Sequence, residues 1–278
     1  MNMYWVYDLP NWLFGVLTIT AFVTFGLAGL SATRRWVVSL HHEIHTHNDV
    51  VGFYLSALTV FYGITLGLLM VGVWATFSDT EAKVDREVAS LAALYRDISN
   101  YPDPLGGQLR DDLRQYTREV IEVAWPDQRR GIVPKGTMLI LYQLQQHLVS
   151  FEPATEAQKI LHAEALHQFN DLIERRRSRL LSVTSGLSAS LWALVLVGAA
   201  INIAVTWFFH VQRRRLHVWM TVLISSLLGM MIFLLAAMDH PFRGELSVGP
   251  EAFALVYDQL MKPGADADAR NQGPPRER

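Results

Sequence analysis

Four uninterrupted apolar stretches, at residues 12–30, 50–77, 190–209 and 219–238, constrain this chain more than any other feature. A hydrocarbon core is roughly 30 Å thick and needs about 20 apolar residues of helix at 1.5 Å rise each. Inside it every backbone N–H and C=O must be satisfied within its own segment, so each stretch is expected to be a helix. The sequence therefore predicts an all-α integral membrane protein with four transmembrane helices, placed as a multi-pass protein in the cell (inner or plasma) membrane. Charged residues make up 18% of the chain and the net charge is −2, which gives no electrostatic reason to expect nucleic acid as a partner. There is no cysteine, so disulfides, thiol catalysis and thiolate metal sites are excluded. Trp12, Trp36, Trp74, Trp192, Trp207 and Trp219 fall near the ends of the stretches, where an amphipathic indole favours the headgroup region.

The rest of the chain divides around these spans. Residues 1–77 read as a hairpin of the first two spans, 78–189 as an extramembrane helical domain, 190–262 as the second hairpin with a C-terminal segment, and 263–278 as a disordered tail rich in Pro, Gly, Asp and Arg. Within the polar domain, apolar residues recur at spacings of three and four. Val84, Val88, Leu91, Tyr95 and Ile98 form one stripe; Leu109, Leu113, Tyr116, Val120 and Val123 a second; Met138, Leu141, Leu144 and Leu148 a third. Leu161, Ala165, Phe169, Leu172, Arg176 and Leu180 form a fourth, opened by a Thr155/Gln158 capping box. No breaker separates span two from the first stripe, and the fourth stripe leads into span three. The expected domain is thus a helical bundle built partly from continuations of these two transmembrane helices.

Candidate functional residues fall in three places. On span two, Ser56, Gly63, Gly67 and Met70 offer a small-residue face for helix packing. The opposite face carries Tyr54, Phe61, Thr65, Leu68 and Gly72; of these, Tyr54, Phe61, Thr65 and Leu68 are candidates to line or constrict a pore by dewetting. In the first connection, His41, His45 and Glu43 have a spacing that suits a shared metal ion. At the span ends stand Asn48 and Asp49, which suit helix capping, and Asp239, which with Pro241 ends span four. The basic clusters at 175–179 and 213–215 suit attraction of anions to the mouths of a pathway. Asn202 is the one strongly polar side chain deep in span three, expected to hydrogen-bond across helices. The scarcity of intramembrane charge disfavours a proton-coupled carrier. There is no phosphate loop or nucleophile elbow, so no enzyme and no cofactor are expected.

Several segments resemble an uncharacterised family of bacterial membrane proteins described as bestrophin-like. They are Tyr7-Asp8-Leu9-Pro10, His47-Asn48-Asp49-Val50-Val51-Gly52-Phe53, the run from Tyr62 to Trp74, and Glu87 to Arg96. Further on come Trp125-Pro126, Leu191-Trp192, and Asp239-His240-Pro241-Phe242-Arg243-Gly244 with Pro250 and Phe253. The resemblance marks His47, Asn48, Asp49, Gly52, Asp239, Pro241 and Phe242 as family-motif and mouth candidates. Bestrophins are pentameric anion channels whose long second helix lines the pore. The resemblance therefore implies a homo-oligomer that conducts small anions, although this chain matches neither the bestrophin pore-neck residues nor the acidic calcium clasp of the animal members. A non-conducting sensor or scaffold, whose helical domain binds a ligand or partner, is the alternative. Orientation stays open at this level. Five arginines in the two short connections favour placing those loops in the cytoplasm, whereas the resemblance places the helical domain there.

Overall fold

The computed structural model describes residues 4–39 and 44–262. All regular structure among them is helical. The helices are α1 (Asn11–Ser39), α2 (Ile44–Ile98), α3 (Leu105–Glu119), α4 (Trp125–Arg129), α5 (Thr137–Val149), α6 (Glu156–Leu181), α7 (Ala189–Thr206), α8 (Arg214–Asp239) and α9 (Glu251–Val256). Four of them, over Asn11–Arg35, His47–Ile98, Ala189–Thr206 and Arg214–Asp239, are long and apolar enough to cross a membrane. Residues 263–278, expected as a disordered tail, lie outside the described residues.

The chain forms two compact units. The first holds residues 4–77, 186–240 and 244–246; the second holds 78–185, 241–243 and 247–262. Helix α2 contributes to both, because its 55 residues contain no proline and run without a break over about 80 Å. The fourth stripe behaves differently. Helix α6 ends at Leu181, a 3-10 turn covers Ser182–Thr184, and α7 starts only at Ala189. The continuation into span three is thus interrupted. The sequence there is rich in Ser and Thr, whose side chains compete for backbone groups: Ser185 Oγ donates to the Ser182 carbonyl at 2.7 Å, and Ser188 caps α7 by accepting the Leu191 N–H.

In the first unit, α1, α7 and α8 pack together and one face of α2 joins them. Close approach is made by small residues, as expected where lipid is as apolar as side chains. A Cβ on Gly229 of α8 would lie 3.0 Å from the Ile19 Cα of α1, and one on Gly29 would run into the Trp207 indole. That indole donates to the Gly26 carbonyl at 3.0 Å. The buried core gathers Leu66 and Val73 of α2, Val195 and Ala199 of α7, and Ile232, Leu235 and Met238 of α8.

In the second unit the stripes are buried largely as expected. Leu109, Leu113, Tyr116 and Val120 are fully buried, as are Leu144 and Leu148. Val123 and Met138 are exposed instead, and Leu161 and Leu180 of the fourth stripe are half-buried. For Val123 the cause is a π turn over Val120–Ala124. The extra residue retards the helical phase, so Ala124 and Trp125 turn into the core in its place. The Thr155/Gln158 capping box opens α6 as expected, with both reciprocal bonds present.

Candidate functional site

Helix α2 carries the candidate pathway. Between Asp49 and Asp79 it has no charged residue. Tyr62, Leu66, Leu69 and Val73 turn towards α7 and α8: Leu66 is fully buried, and the Tyr62 hydroxyl donates to the Val195 carbonyl at 2.9 Å. Thr59 donates to Asn202 Oδ1 at 3.0 Å, the cross-helix bond expected of Asn202. The remaining half of the circumference is uncovered by this chain. Tyr54, Phe61 and Leu68 are 62%, 72% and 70% exposed, and Phe53, Val60, Ile64, Val71 and Trp74 share that arc. Thr65 stands at its edge, half-buried, with its hydroxyl returned to the Phe61 carbonyl.

Both faces read from the sequence therefore lie on or beside the uncovered arc. A Cβ on Gly63, Gly67 or Gly72 would meet nothing within 4 Å. Gly63 and Gly67, expected to let another helix approach closely, meet no helix among the described residues of this chain; the covered face is centred on Tyr62, Leu66, Leu69 and Val73, with Met70 beside it, and close approach within the first unit falls at Gly26, Gly29, Gly198 and Gly229.

At the start of α2, His47 and Asn48 hold the α7–α8 connection. His47 Nε2 bonds the Phe208 carbonyl at 2.8 Å. The Asn48 amide makes two bonds to His210, accepting its N–H and donating to its carbonyl, both at 2.9 Å. Asn48 is thus a clamp and not a helix cap, because α2 already begins at Ile44. A Cβ on Gly52 would lie 3.9 Å from the Phe209 ring, and Asp49 is exposed.

The Asp239 segment does different work in each unit. Asp239 is buried, and both its oxygens are engaged: Oδ1 accepts the Leu187 N–H at 2.6 Å and Oδ2 accepts the Trp192 indole at 3.0 Å. The carboxylate fixes the entry of α7 against the exit of α8. His240 packs so closely on Gly186 that a Cβ there would lie 2.5 Å from its ring. In the second unit, the Pro241 carbonyl accepts the Val248 N–H at 2.8 Å. Phe242 is buried edge-on to Trp125, and Arg243 donates to the Arg130 carbonyl at 2.8 Å.

The core of the second unit holds a network that sequence reasoning missed. Glu87 and Arg179 are 0% and 1% exposed. They pair through two bonds, Nε to Oε2 at 2.6 Å and Nη2 to Oε1 at 3.0 Å. Tyr116 donates to Glu87 Oε1 at 3.0 Å, and Gln128 Oε1 accepts from Arg179 Nη1. The guanidinium also lies over the Trp125 and Phe253 rings, 5.1 and 5.6 Å from their centroids. Burial pushes the Tyr116 hydroxyl well above its ordinary pKa, and the Glu87 charge adds to that. Burial would lower the Arg179 pKa, but the adjacent carboxylate outweighs it and holds the group above its ordinary value. Arg176 is likewise buried and donates to Thr137 Oγ1 at 2.7 Å. Two of the four arginines at 175–179 are thus core residues and not free mouth cations, which corrects that part of the sequence reading. A signal was present: Glu87 and Arg179 each sit in register with an apolar stripe.

His41 and Glu43 of the candidate metal cluster lie outside the described residues, and the His45 side chain is not described. Among the described residues no group of three or more His, Asp and Glu is placed to hold a metal ion.

This combination of spanning-length apolar helices and an attached helical unit defines an α-helical integral membrane protein. The Bestrophin-like domain model matches residues 20–253, so the chain belongs to the Bestrophin-like family. Among solved structures, it is similar to a bacterial bestrophin homologue from Klebsiella pneumoniae, at 13% identity and TM-score 0.66, over 93% of this chain and 99% of that one. A point mutant of a bacterial bestrophin homologue from Klebsiella pneumoniae matches at 12% identity and TM-score 0.67, over 89% and 98%. A structure described as a membrane protein matches at 14% identity and TM-score 0.68, over 93% and 99%. At these identities the likeness is one of fold. A search of curated protein sequences returned no match.

Proposed function

We propose that the protein is a homo-oligomeric channel for small anions in the cell membrane, with copies of α2 arranged around its axis. One observation carries this reading: half the circumference of α2, from Phe53 to Trp74, is apolar, uncharged and uncovered by its own chain. A surface of that kind meets lipid, a neighbouring subunit or a pathway. Membership of the Bestrophin-like family supports the last two. Tyr54, Phe61, Thr65 and Leu68 then line the path, and the Phe61 and Leu68 side chains narrow it to an apolar constriction that gates by dewetting. The oxygens of Asp239 are already bonded and the Asn48 amide is committed to His210. At the mouths these residues hold the connecting segments in place, and Asp49 stands exposed to solution.

The experiment is chloride efflux from liposomes reconstituted with the purified protein. Wild type is expected to release chloride, and Phe61→Ala and Leu68→Ala to release it faster. Wild-type protein that passes neither chloride nor another small anion, with and without applied voltage and calcium, overturns the proposal. It would leave a non-conducting sensor or scaffold, with α2 joining the two units, as the reading to pursue.

A further inference from the structure

We infer that the groove between the C-terminal end of α1 and the N-terminal end of α8 binds the phosphate of an anionic membrane lipid through Arg34, Arg35 and Arg214. The groove encloses about 1080 Å³ and is lined by these three arginines together with Leu27, Leu30 and Val218. Among the described residues, none of the three guanidiniums pairs with a carboxylate or donates to another side chain. This contrasts with Arg179, Arg175 and Arg114, each neutralised by an acid of its own unit. Nor does either helix that forms the groove bring an acid to it among the described residues. Helix α1 contains no Asp or Glu, and the acid of α8 is Asp239, at its opposite end. Three like charges gathered in one concavity repel one another, and an anion that bridges them relieves that repulsion. Guanidinium is the group best suited to phosphate, since its donor fork matches two phosphate oxygens at once.

Depth and floor identify the source of the phosphate. Arg34 and Arg35 close the apolar span of α1 and Arg214 opens that of α8, so the charges sit where hydrocarbon gives way to headgroups. Trp219, one residue past Val218, is 65% exposed and marks the same level, as indoles do at bilayer interfaces. Below the arginines the lining turns apolar, with Leu27, Leu30 and Val218. A free phosphate ion gains nothing from that surface, whereas the glycerol and first acyl carbons of a lipid do. Basic pockets between transmembrane helices commonly hold anionic headgroups in this way. The inference stands whether or not the protein conducts.

The test is native mass spectrometry of the detergent-purified full chain, titrated with phosphatidylglycerol or phosphatidylcholine of matched acyl chains. Wild type is expected to retain phosphatidylglycerol in preference to phosphatidylcholine. Each guanidinium removed should weaken the anionic lipid about fivefold, so Arg34→Gln/Arg214→Gln weakens it roughly 25-fold. Arg213→Gln/Arg215→Gln removes the same charge from exposed positions outside the groove and should stay within about threefold of wild type. Should the first double variant fail to fold, Arg35→Gln alone, at an exposed side chain, is expected to show the fivefold loss. Equal weakening by the two double variants, or equal retention of the two lipids, overturns the inference. Displacement of phosphatidylglycerol by millimolar inorganic phosphate overturns the assignment to lipid.

Discussion

Removing Glu87 is the sharpest perturbation of the second unit. Glu87→Ala strips the Arg179 guanidinium of its two bonds at 2.6 and 3.0 Å and leaves the Tyr116 hydroxyl without its acceptor. Both members of the pair are essentially inaccessible to water, so solvent cannot step in. Breaking a buried pair from one side costs about 3–5 kcal/mol. At roughly 2–4 °C per kcal/mol for a unit of this size, the apparent Tm should fall by roughly 6–20 °C. Replacing both partners by apolar residues, as in Glu87→Leu/Arg179→Met, removes the stranded charge along with the pair. That double variant should be more stable than the sum of its singles implies, by about 2–4 kcal/mol. The assay is thermal unfolding in detergent at a fixed scan rate, followed by tryptophan fluorescence, because Trp125 lies against the guanidinium. Single variants that lower Tm by less than about 3 °C, or that add within about 0.5 kcal/mol in the double, would refute the argument that this pair is a desolvated, coupled unit.

Three further outcomes follow from the same structure. Asp239→Ala frees the Leu187 N–H and the Trp192 indole and should cost about 2–4 kcal/mol; Asp239→Asn, which keeps one acceptor, should cost less, as thermal unfolding will show. Asn48→Ala removes both bonds to the His210 backbone, worth about 1–3 kcal/mol together, and should speed amide exchange and proteolysis at residues 207–213. The Tyr101 hydroxyl meets His162 Nδ1 at 2.8 Å, and burial lowers the His162 pKa. The unfolded chain therefore takes up this proton first. Stability from the contact is complete above about pH 6.5 and declines as pH falls towards the lowered folded value. In His162→Phe that acid-side decline in Tm should be smaller.

How far the sequence reveals this molecule depends on whether water or lipid is the reference solvent. In the second unit, where water is, periodicity located the buried residues: Leu109, Leu113 and Tyr116, and Leu144 and Leu148, are all in the core. It failed at Val123, because a π turn has no apolar signature of its own. It also passed over Glu87 and Arg179, because charge on a helix is usually solvated and only their stripe register hinted otherwise. In the first unit, apolar residues face lipid and core alike, so hydropathy locates the spans but cannot say which face of α2 is covered. Gly63 and Gly67 have the familiar packing spacing yet stand open, while Gly29 and Gly229, which have no such spacing between them, make the close contacts. Clamps through backbone groups, such as Asn48 to His210, depend on a meeting of distant segments that no local pattern encodes.

The proposed channel requires copies of α2 to surround an axial path. Single-particle imaging of the detergent-purified protein, viewed along the membrane normal, tests it most directly. A closed ring of identical subunits around an opening is expected, with Tyr54, Phe61 and Leu68 facing the axis. A monomer, a ring with no axial opening, or a ring in which that arc of α2 faces lipid would contradict it.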